Sequence, residues 1–293
     1  MLFLTYLISG ISLGSVYAII ALGYTMVYGI AKMLNFAHGD VIMVGGYIAF
    51  CSMSYLDLPA PIAVVLAVLV CTVLGVVIEG LAYRPLRQAT SLAVRITAIG
   101  VSYFLQNAAQ LIWGANNKSF SSVAGFISLP STLTSRGLTS EALVTVVACV
   151  VIMVVLTTFV NKTKMGKAMR ACSEDKDAAR LMGINVNRTI SVTFAIGSAL
   201  AAIAGVLLLS SYSTLVPTTG SMPGIKAFTA AVFGGIGSIP GAFVGGLLLG
   251  IIESLAKGYI STSLADSVVF AMLIVILLVR PSGLLGKYVP EKV

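Results

Sequence analysis

Apolar runs of membrane-spanning length occupy most of this sequence, and one charged island, residues 161–188, interrupts them. A helix that crosses a bilayer needs about 20 mainly apolar residues. Only 10% of the residues are charged, whereas a soluble domain carries about 25%. We therefore predict an all-α polytopic membrane protein with about eight transmembrane helices, in which residues 1–293 form a single transmembrane domain.

The apolar segments give the approximate positions of the spans. They lie near 7–30, 41–56, 61–83, 96–113, 142–160, 189–211 and 265–279, with a broken element at 226–257. Small residues spaced four apart, as in Gly10-x-x-x-Gly14 and Gly246-x-x-x-Gly250, predict faces on which helices approach closely.

Glycine-rich breaks near 29–46 and 226–246 interrupt the apolar pattern in the two halves of the chain. Irregular backbone at membrane depth persists only where it is buried in protein or lines a cavity. In transporters, broken segments in corresponding halves mark the place where a substrate crosses. The two breaks are therefore predicted to contribute to a substrate path.

The charged island holds seven of the 18 basic residues and three of the 10 acids. Such an excess of positive charge between two spans predicts a cytoplasmic loop. The basic residues Lys287 and Lys292 favour a cytoplasmic C-terminus as well, whereas a re-entrant first leg of 226–257 would place the C-terminus outside.

A short helix over residues 173–183 is predicted inside the island. Ser173 can cap its N-terminus, and the acids that follow suit the positive end of the helix dipole. Ala178, Leu181 and Met182 fall on one face, and Gly183 provides a left-handed stop. The alternative is a solvated basic loop that only fixes the topology.

Ionisable and amide side chains inside apolar runs are the other candidates for functional residues. His38 and Asp40 suit a proton relay or cation site, or else lie wet and structural at the cytoplasmic end of a span. Glu253 lies in the path or forms a buried hydrogen bond that holds helices together. Gln106 and Asn107 belong to a polar face of the fourth predicted span, and they too either line the path or hold helices together by hydrogen bonds. One histidine and one aspartate are too few ligands for a metal site.

The chain shows no nucleotide-binding motif of its own. Gly166-Lys167-Ala168 lacks the glycine spacing of a phosphate-binding loop and the Ser or Thr after its lysine. Transport would then draw on a partner or on an ion gradient. The net charge of +8 is not a nucleic-acid signal, because the basic residues cluster at the ends of spans.

Three stretches together resemble the LivH-type permease of branched-chain amino acid ABC importers. These are the run Leu-Asn-Phe-Ala-His-Gly-Asp at 34–40, the glycine-rich stretch 234–250 that ends near Glu253, and the island. Within the island, Asp177-Ala178-Ala179-x-x-x-Gly183 is similar to the EAA-x-x-x-G loop with which such permeases dock on their ATPases. Asp replaces the usual Glu, and the Ile-x-Leu-Pro ending of that loop is absent.

The resemblance covers essentially the full chain and implies a multi-pass permease of the bacterial inner membrane that is not an enzyme. Its implied partners are a LivM-type second permease, LivG- and LivF-type ATPases, a periplasmic amino-acid-binding protein and membrane lipid. No cofactor is implied, because the partner subunits bind ATP. The implied substrates are leucine, isoleucine and valine or other amino acids, and a related branch of the family carries urea or short amides.

Two sets of site residues follow from these patterns. The residues expected to couple to the ATPase are Asp177, Ala178, Ala179, Arg180, Leu181, Met182 and Gly183. The candidates for the translocation path are Asn35, His38, Asp40, Gln106, Asn107, Gly234, Gly235, Gly237 and Glu253.

Other classes of function remain open at this point. The island favours an ABC permease, whereas the buried charges favour a secondary transporter or a channel for small polar solutes. An intramembrane enzyme is disfavoured, because no His-Glu-x-x-His motif and no paired carboxylates at matching depth occur.

Overall fold

The computed structural model of the chain describes residues 2–87, 89–123, 125 and 139–286, and the residues described are mainly helical. Residues 126–138, which lie between the fourth and fifth predicted spans, are outside them, as are Lys287 and Lys292. The helices are α1 Leu2–Ala31, α2 His38–Ser54, α3 Ala60–Ile78, α4 Ser91–Trp113, α5 Ser140–Lys162, α6 Lys164–Glu174, α7 Lys176–Leu181, α8 Val186–Tyr212, α9 Ser221–Gly234, α10 Ile239–Tyr259 and α11 Ala265–Val279. A π-helical turn, Glu79–Tyr83, extends α3, and the two-residue strands β1 Lys118–Ser119 and β2 Thr214–Leu215 pair antiparallel.

Among the residues that the structure describes, five helical segments are long and apolar enough to cross a bilayer: Leu2–Ala31, Ala60–Tyr83, Ser140–Lys162, Val186–Tyr212 and Ile239–Tyr259. The shorter apolar helix α11 follows. The chain is therefore an all-α polytopic membrane protein, while the count of eight spans stays a prediction. Helices α2 and α9 have 17 and 14 residues, so each is shorter than the roughly 20 residues of a full span.

Helix α1 is the centre of the bundle, and it packs against α10 through small residues. A methyl group added to Gly250 would lie 2.2 Å from the Cα atom of Gly14. One added to Gly246 would lie 2.4 Å from the Cα atom of Ala18. The predicted close approach at these glycine spacings is confirmed, because no side chain separates the two backbones.

The first predicted break is confirmed at residues 32–37. Helix α1 ends at Ala31, and Lys32 takes a left-handed conformation with φ at 57°. The chain then turns back into the bundle. This is seen from His38, the first residue of α2, whose ring lies against Gly23. Gly23 is eight residues before the end of α1, so α2 begins about 12 Å inside the bundle.

The second break differs from the prediction in its extent. Helix α9 ends at Gly234 and α10 begins at Ile239, so only 235–238 interrupt them. Gly235 and Gly237 have φ values of 105° and 94°, which glycine adopts without a side-chain penalty. Another unwound segment precedes α9 at 213–220, apart from strand β2, and it lies before the predicted start of the broken element at 226.

The ends of the bundle follow from these contacts. Gly237 lies near Gly29 at the end of α1 that also meets the island, and we call this the basic end. The last described residues pack there too, with the Leu285 amide donating to the Gly234 carbonyl over 2.9 Å. The island and residues 280–286 therefore share one end, as the prediction of a cytoplasmic C-terminus requires.

The helix predicted over 173–183 is in fact two helices that meet at Asp175. Ser173 lies inside α6, where its hydroxyl donates to the Arg170 carbonyl over 2.7 Å, so its assignment as the cap was wrong. Asp175 is the cap of α7, because its carboxylate accepts from the amides of Asp177 and Ala178 at 2.8 and 3.1 Å. The predicted left-handed stop at Gly183 is confirmed by its φ of 80°.

Candidate translocation and coupling sites

The N-termini of α2 and α9 meet inside the bundle. A methyl group on Gly39 would lie 2.6 Å from the carbonyl oxygen of Gly220. Helix α2 starts from the side of the basic end and α9 from the side of strand β2, so the two short helices approach the contact from opposite ends. Broken helices that meet in this way place the partly positive ends of both helix dipoles at one point.

A cavity of about 300 Å³ lies beside this contact. Its volume is at the lower end of the roughly 300–1,000 Å³ typical of small-molecule sites. Helices α1, α2, α4 and α9 and the unwound segment before α2 contribute to its wall. The lining residues are Tyr24, Phe36, Gly39, Asp40, Ile99, Ser102, Tyr103, Gln106, Ser221, Gly224, Ile225 and Phe228.

Asp40 and Gln106 give the cavity its polar wall. The Gln106 amide donates to the Asp40 carboxylate over 2.8 Å and lies 3.3 Å from the hydroxyls of Ser102 and Ser221. Asp40 is only 2% exposed, so the interpretation of it as a wet residue at a span end was wrong. An acid beside an apolar wall can accept from a cationic group while that wall receives an apolar side chain.

His38 and Asn35 lie behind this wall. His38 is 1% exposed, which also excludes the wet interpretation, and its ring packs on Tyr24 with centroids 4.5 Å apart. Its Nε2 atom has no hydrogen-bond partner among the described residues. The buried Asn35 accepts from the Tyr83 hydroxyl over 3.0 Å and so ties the first break to the π-helical turn. The structure therefore brings neither residue to the cavity surface.

Four further path candidates also lie away from the cavity. The Asn107 side chain is exposed and donates to the Tyr103 carbonyl one turn back over 2.7 Å. Gly234 packs on Gly241, and a methyl group on Gly235 would lie 2.3 Å from the Gly286 amide. Gly237 lines a small hollow of about 80 Å³ at the basic end. The half-helix that faces the cavity from the second half of the chain begins instead at Ser221.

Glu253 is the centre of a buried ionic network. One carboxylate oxygen accepts from the ammonium groups of Lys226 and Lys257 at 2.9 and 2.7 Å, and the other accepts from the Tyr17 hydroxyl at 2.9 Å. Lys226 also lies 2.6 Å from Asp266. The network joins α1, α9, α10 and α11, so the structure favours the reading of Glu253 as a residue that holds helices together. Lys257 could have been found from its i+4 spacing to Glu253, whereas Lys226 and Tyr17 had no local signal.

The surface of α7 is apolar and exposed. Leu181 and Met182 are 90% and 82% exposed, and beside them the exposed Asp177 and Arg180 form an ion pair at 3.1 Å. Ala179 alone of the seven predicted coupling residues is buried, at 3% exposure, and anchors the short helix to the bundle. Two large apolar side chains on a small capped helix suit insertion into a groove of another protein.

Lys176 links α7 to the first break. Its ammonium group donates to the carbonyl of Ala31 over 2.7 Å, at the last residue of α1. Burial, and then the charges of Arg87 and Lys32, lower the pKa of Lys176 below its usual range. The island carries no local sequence signal for this contact, because the two residues are 145 positions apart.

Comparisons with known proteins agree across the whole chain. Residues 6–277 match the family model described as branched-chain amino acid transport system / permease component. The chain is 45% identical to the high-affinity branched-chain amino acid transport system permease protein LivH of Salmonella typhimurium, over 99% of this chain and 98% of that protein. Identity is 46% to LivH of Escherichia coli K12 and 44% to the permease protein BraD of Pseudomonas aeruginosa, with the same coverage.

Proposed function

The chain belongs to the branched-chain amino acid transport permease family, and from this membership we propose that it forms half of the path by which an ABC importer moves leucine, isoleucine or valine. The proposed setting is the bacterial inner membrane, with the basic end in the cytoplasm. A LivM-type permease would supply the other half of the path. LivG- and LivF-type subunits would bind and hydrolyse ATP, and a periplasmic binding protein would deliver the amino acid.

The cavity at the Gly39–Gly220 contact is the observation that carries the proposal. Its size and mixed wall suit an amino acid with an apolar side chain. The ammonium group would lie near Asp40, and the carboxylate would lie toward the N-termini of the two half-helices. The aromatic rings of Phe36 and Phe228 would receive the side chain.

The buried acids support an externally driven permease over an ion-driven transporter. Glu253 is paired with Lys226 and Lys257, and Asp40 accepts from Gln106. A coupling-ion site needs an acid without a fixed cationic partner; Glu253 already has two, and Asp40 lines the proposed substrate cavity itself. No specific observation now favours the secondary transporter or the channel.

The coupling surface would transmit the work of ATP hydrolysis. Leu181 and Met182 would enter a groove on the ATPase, and Arg180 would pair at its rim. The neighbouring Lys176 does not belong to this rim, because its ammonium group donates to the Ala31 carbonyl. A displacement of α7 would then act directly on the unwound segment that precedes Asp40 and the cavity.

Reconstitution tests this proposal. Liposomes that contain the chain with a LivM-type permease, both ATPases and the binding protein are expected to accumulate labelled leucine only when ATP is supplied. Leu181→Asp is expected to abolish that uptake while expression and membrane insertion stay normal, and Leu181→Met, which keeps an apolar side chain, is the matched control. Uphill uptake by the chain alone, or full ATP-driven uptake by the Leu181→Asp variant, would contradict the proposal.

A further inference from the structure

Four cations converge on a second cavity, of about 270 Å³, at the basic end. They come from separate parts of the chain: Lys32 from the first break, Arg87 from the turn after α3, Arg95 from α4 and Lys176 from α7. None of the described residues that line this cavity is acidic. The cavity belongs neither to the proposed substrate path nor to the exposed apolar face of α7.

The positive charge in this cavity is only partly compensated. Arg87 contacts Glu79 and Asn187 through its terminal nitrogens, but its buried Nε atom has no partner among the described residues. Arg95 donates to the Ser91 hydroxyl over 2.9 Å, and Lys176 donates to the Ala31 carbonyl, so both bond to neutral groups. Burial lowers the pKa of Lys176 most, and the nearby positive charges of Arg87 and Lys32 lower it further. A cavity of this kind favours an anionic ligand.

The border of the cavity indicates which kind of anion would bind. Leu92 lies three residues before Arg95 on the same face of α4. Ile96 directly follows Arg95, and the two apolar side chains are 64% and 61% exposed. Exposed apolar side chains beside a cluster of cations at the start of a helix fit an amphiphile better than a free ion. The head group would meet the cations, and the acyl chains would run along α4.

We propose that the cavity between Lys32, Arg87, Arg95 and Lys176 binds the phosphate head group of an anionic phospholipid. Basic pockets between membrane helices on the cytoplasmic side are suited to such head groups. The lipid would bridge the start of α7 and the start of the first break, because Lys176 and Lys32 lie at those two points. Anionic lipid would thereby hold the coupling helix in register with the segment that leads to the substrate cavity.

Lipid retention by the purified full-length chain tests this inference. The chain is exchanged into equal mixtures of phosphatidylglycerol and phosphatidylcholine, and the retained lipid is counted by native mass spectrometry. Wild type is expected to prefer phosphatidylglycerol. Lys32→Gln combined with Arg95→Gln is expected to reduce that preference roughly 30-fold, since each cation near the surface is worth about fivefold. Arg188→Gln removes an exposed island cation that does not line the cavity, and it is expected to leave the preference unchanged.

Three outcomes would overturn the proposal. The first is equal retention of the two lipids by wild type, or an equal loss in the Arg188→Gln control. The second is displacement of phosphatidylglycerol by inorganic phosphate at comparable concentration, which would assign the cavity to a free anion. The third is a double variant that keeps its lipid preference but binds the ATPase subunits less tightly, which would assign the cations to a protein partner.

Discussion

Gly39 and Gly220 are in backbone contact at the point where two short helices begin, and a methyl group added to Gly220 would lie 1.7 Å from the carbonyl oxygen of Gly39. No residue larger than glycine fits either position without moving a backbone. The contact fixes where the helix N-termini stand relative to Asp40 and Ser221, the residues that follow each glycine. The geometry of the substrate cavity therefore depends on the absence of two side chains.

Substitution of Gly220 by alanine is expected to impair both stability and transport. The added methyl group must push α9 away from α2, and overpacking of this kind costs about 1–3 kcal/mol. Gly100→Ala is the matched control, because nothing lies within 4 Å of the added methyl group. In a helix that control is expected to be neutral or slightly stabilising. Thermal unfolding in detergent and ATP-driven uptake measure the two effects, and equal behaviour of the variants would show that the contact is unimportant.

Asp40→Asn is expected to raise the KM for leucine uptake by roughly tenfold to a hundredfold. A hydrogen bond to a charged group is worth about 1.5–3 kcal/mol, and the substitution removes the charge that faces the ammonium group of the substrate. Asn107→Leu is the control on the neighbouring helix, because this exposed side chain bonds only to its own helix backbone. Uptake kinetics in proteoliposomes distinguish them. An unchanged KM for Asp40→Asn would place the ammonium group elsewhere.

The elements that could be predicted are those marked by residues next to one another in the sequence. The sixth apolar segment, near 189–211, is the helix Val186–Tyr212, and the fifth, near 142–160, is Ser140–Lys162. Apolar runs and polar flanks suffice for such helices because the bilayer imposes their length. Gly183 was also identified correctly, since a left-handed helix stop depends only on the residue that occupies it.

The partners of the buried polar groups could not be predicted. Gln106 lies 66 residues from Asp40, and Tyr17 lies 236 residues from Glu253. A polar residue in an apolar run shows that it needs a partner, but only the packing of helices decides which one it meets. The start of α9 was missed for a related reason. The broken element was predicted to begin at 226, whereas α9 begins at Ser221 and Gly220 takes its role from contact with Gly39.

The choice of helix cap in the island is directly testable. Asp175→Ala is expected to destabilise α7 by about 1 kcal/mol, since it removes the acceptor for two backbone amides. Ser173→Ala, which removes the residue first assigned as the cap, is expected to leave α7 intact. Hydrogen exchange over 176–181 should become several-fold faster in the Asp175 variant alone. Faster exchange in the Ser173 variant instead would restore the original assignment.

The ionic network around Glu253 predicts strong energetic coupling between two residues that are 27 positions apart. Glu253→Gln is expected to lower the free energy of unfolding by about 3 kcal/mol, because it leaves Lys226 buried with Asp266 as its remaining acidic partner. Lys226→Met alone is expected to cost less, since Glu253 keeps Lys257.

The double variant of Glu253 and Lys226 should lose at least 0.5 kcal/mol less than the sum of the two single losses, which is roughly the smallest coupling seen for residues in contact. Asp177→Asn in the exposed pair with Arg180 is the control, and it should change stability by less than about 1 kcal/mol. Unfolding in detergent measures all four variants. Additive losses at Glu253 and Lys226 would mean that the two residues stabilise the bundle independently, and the network would then not be what holds α9 against α10.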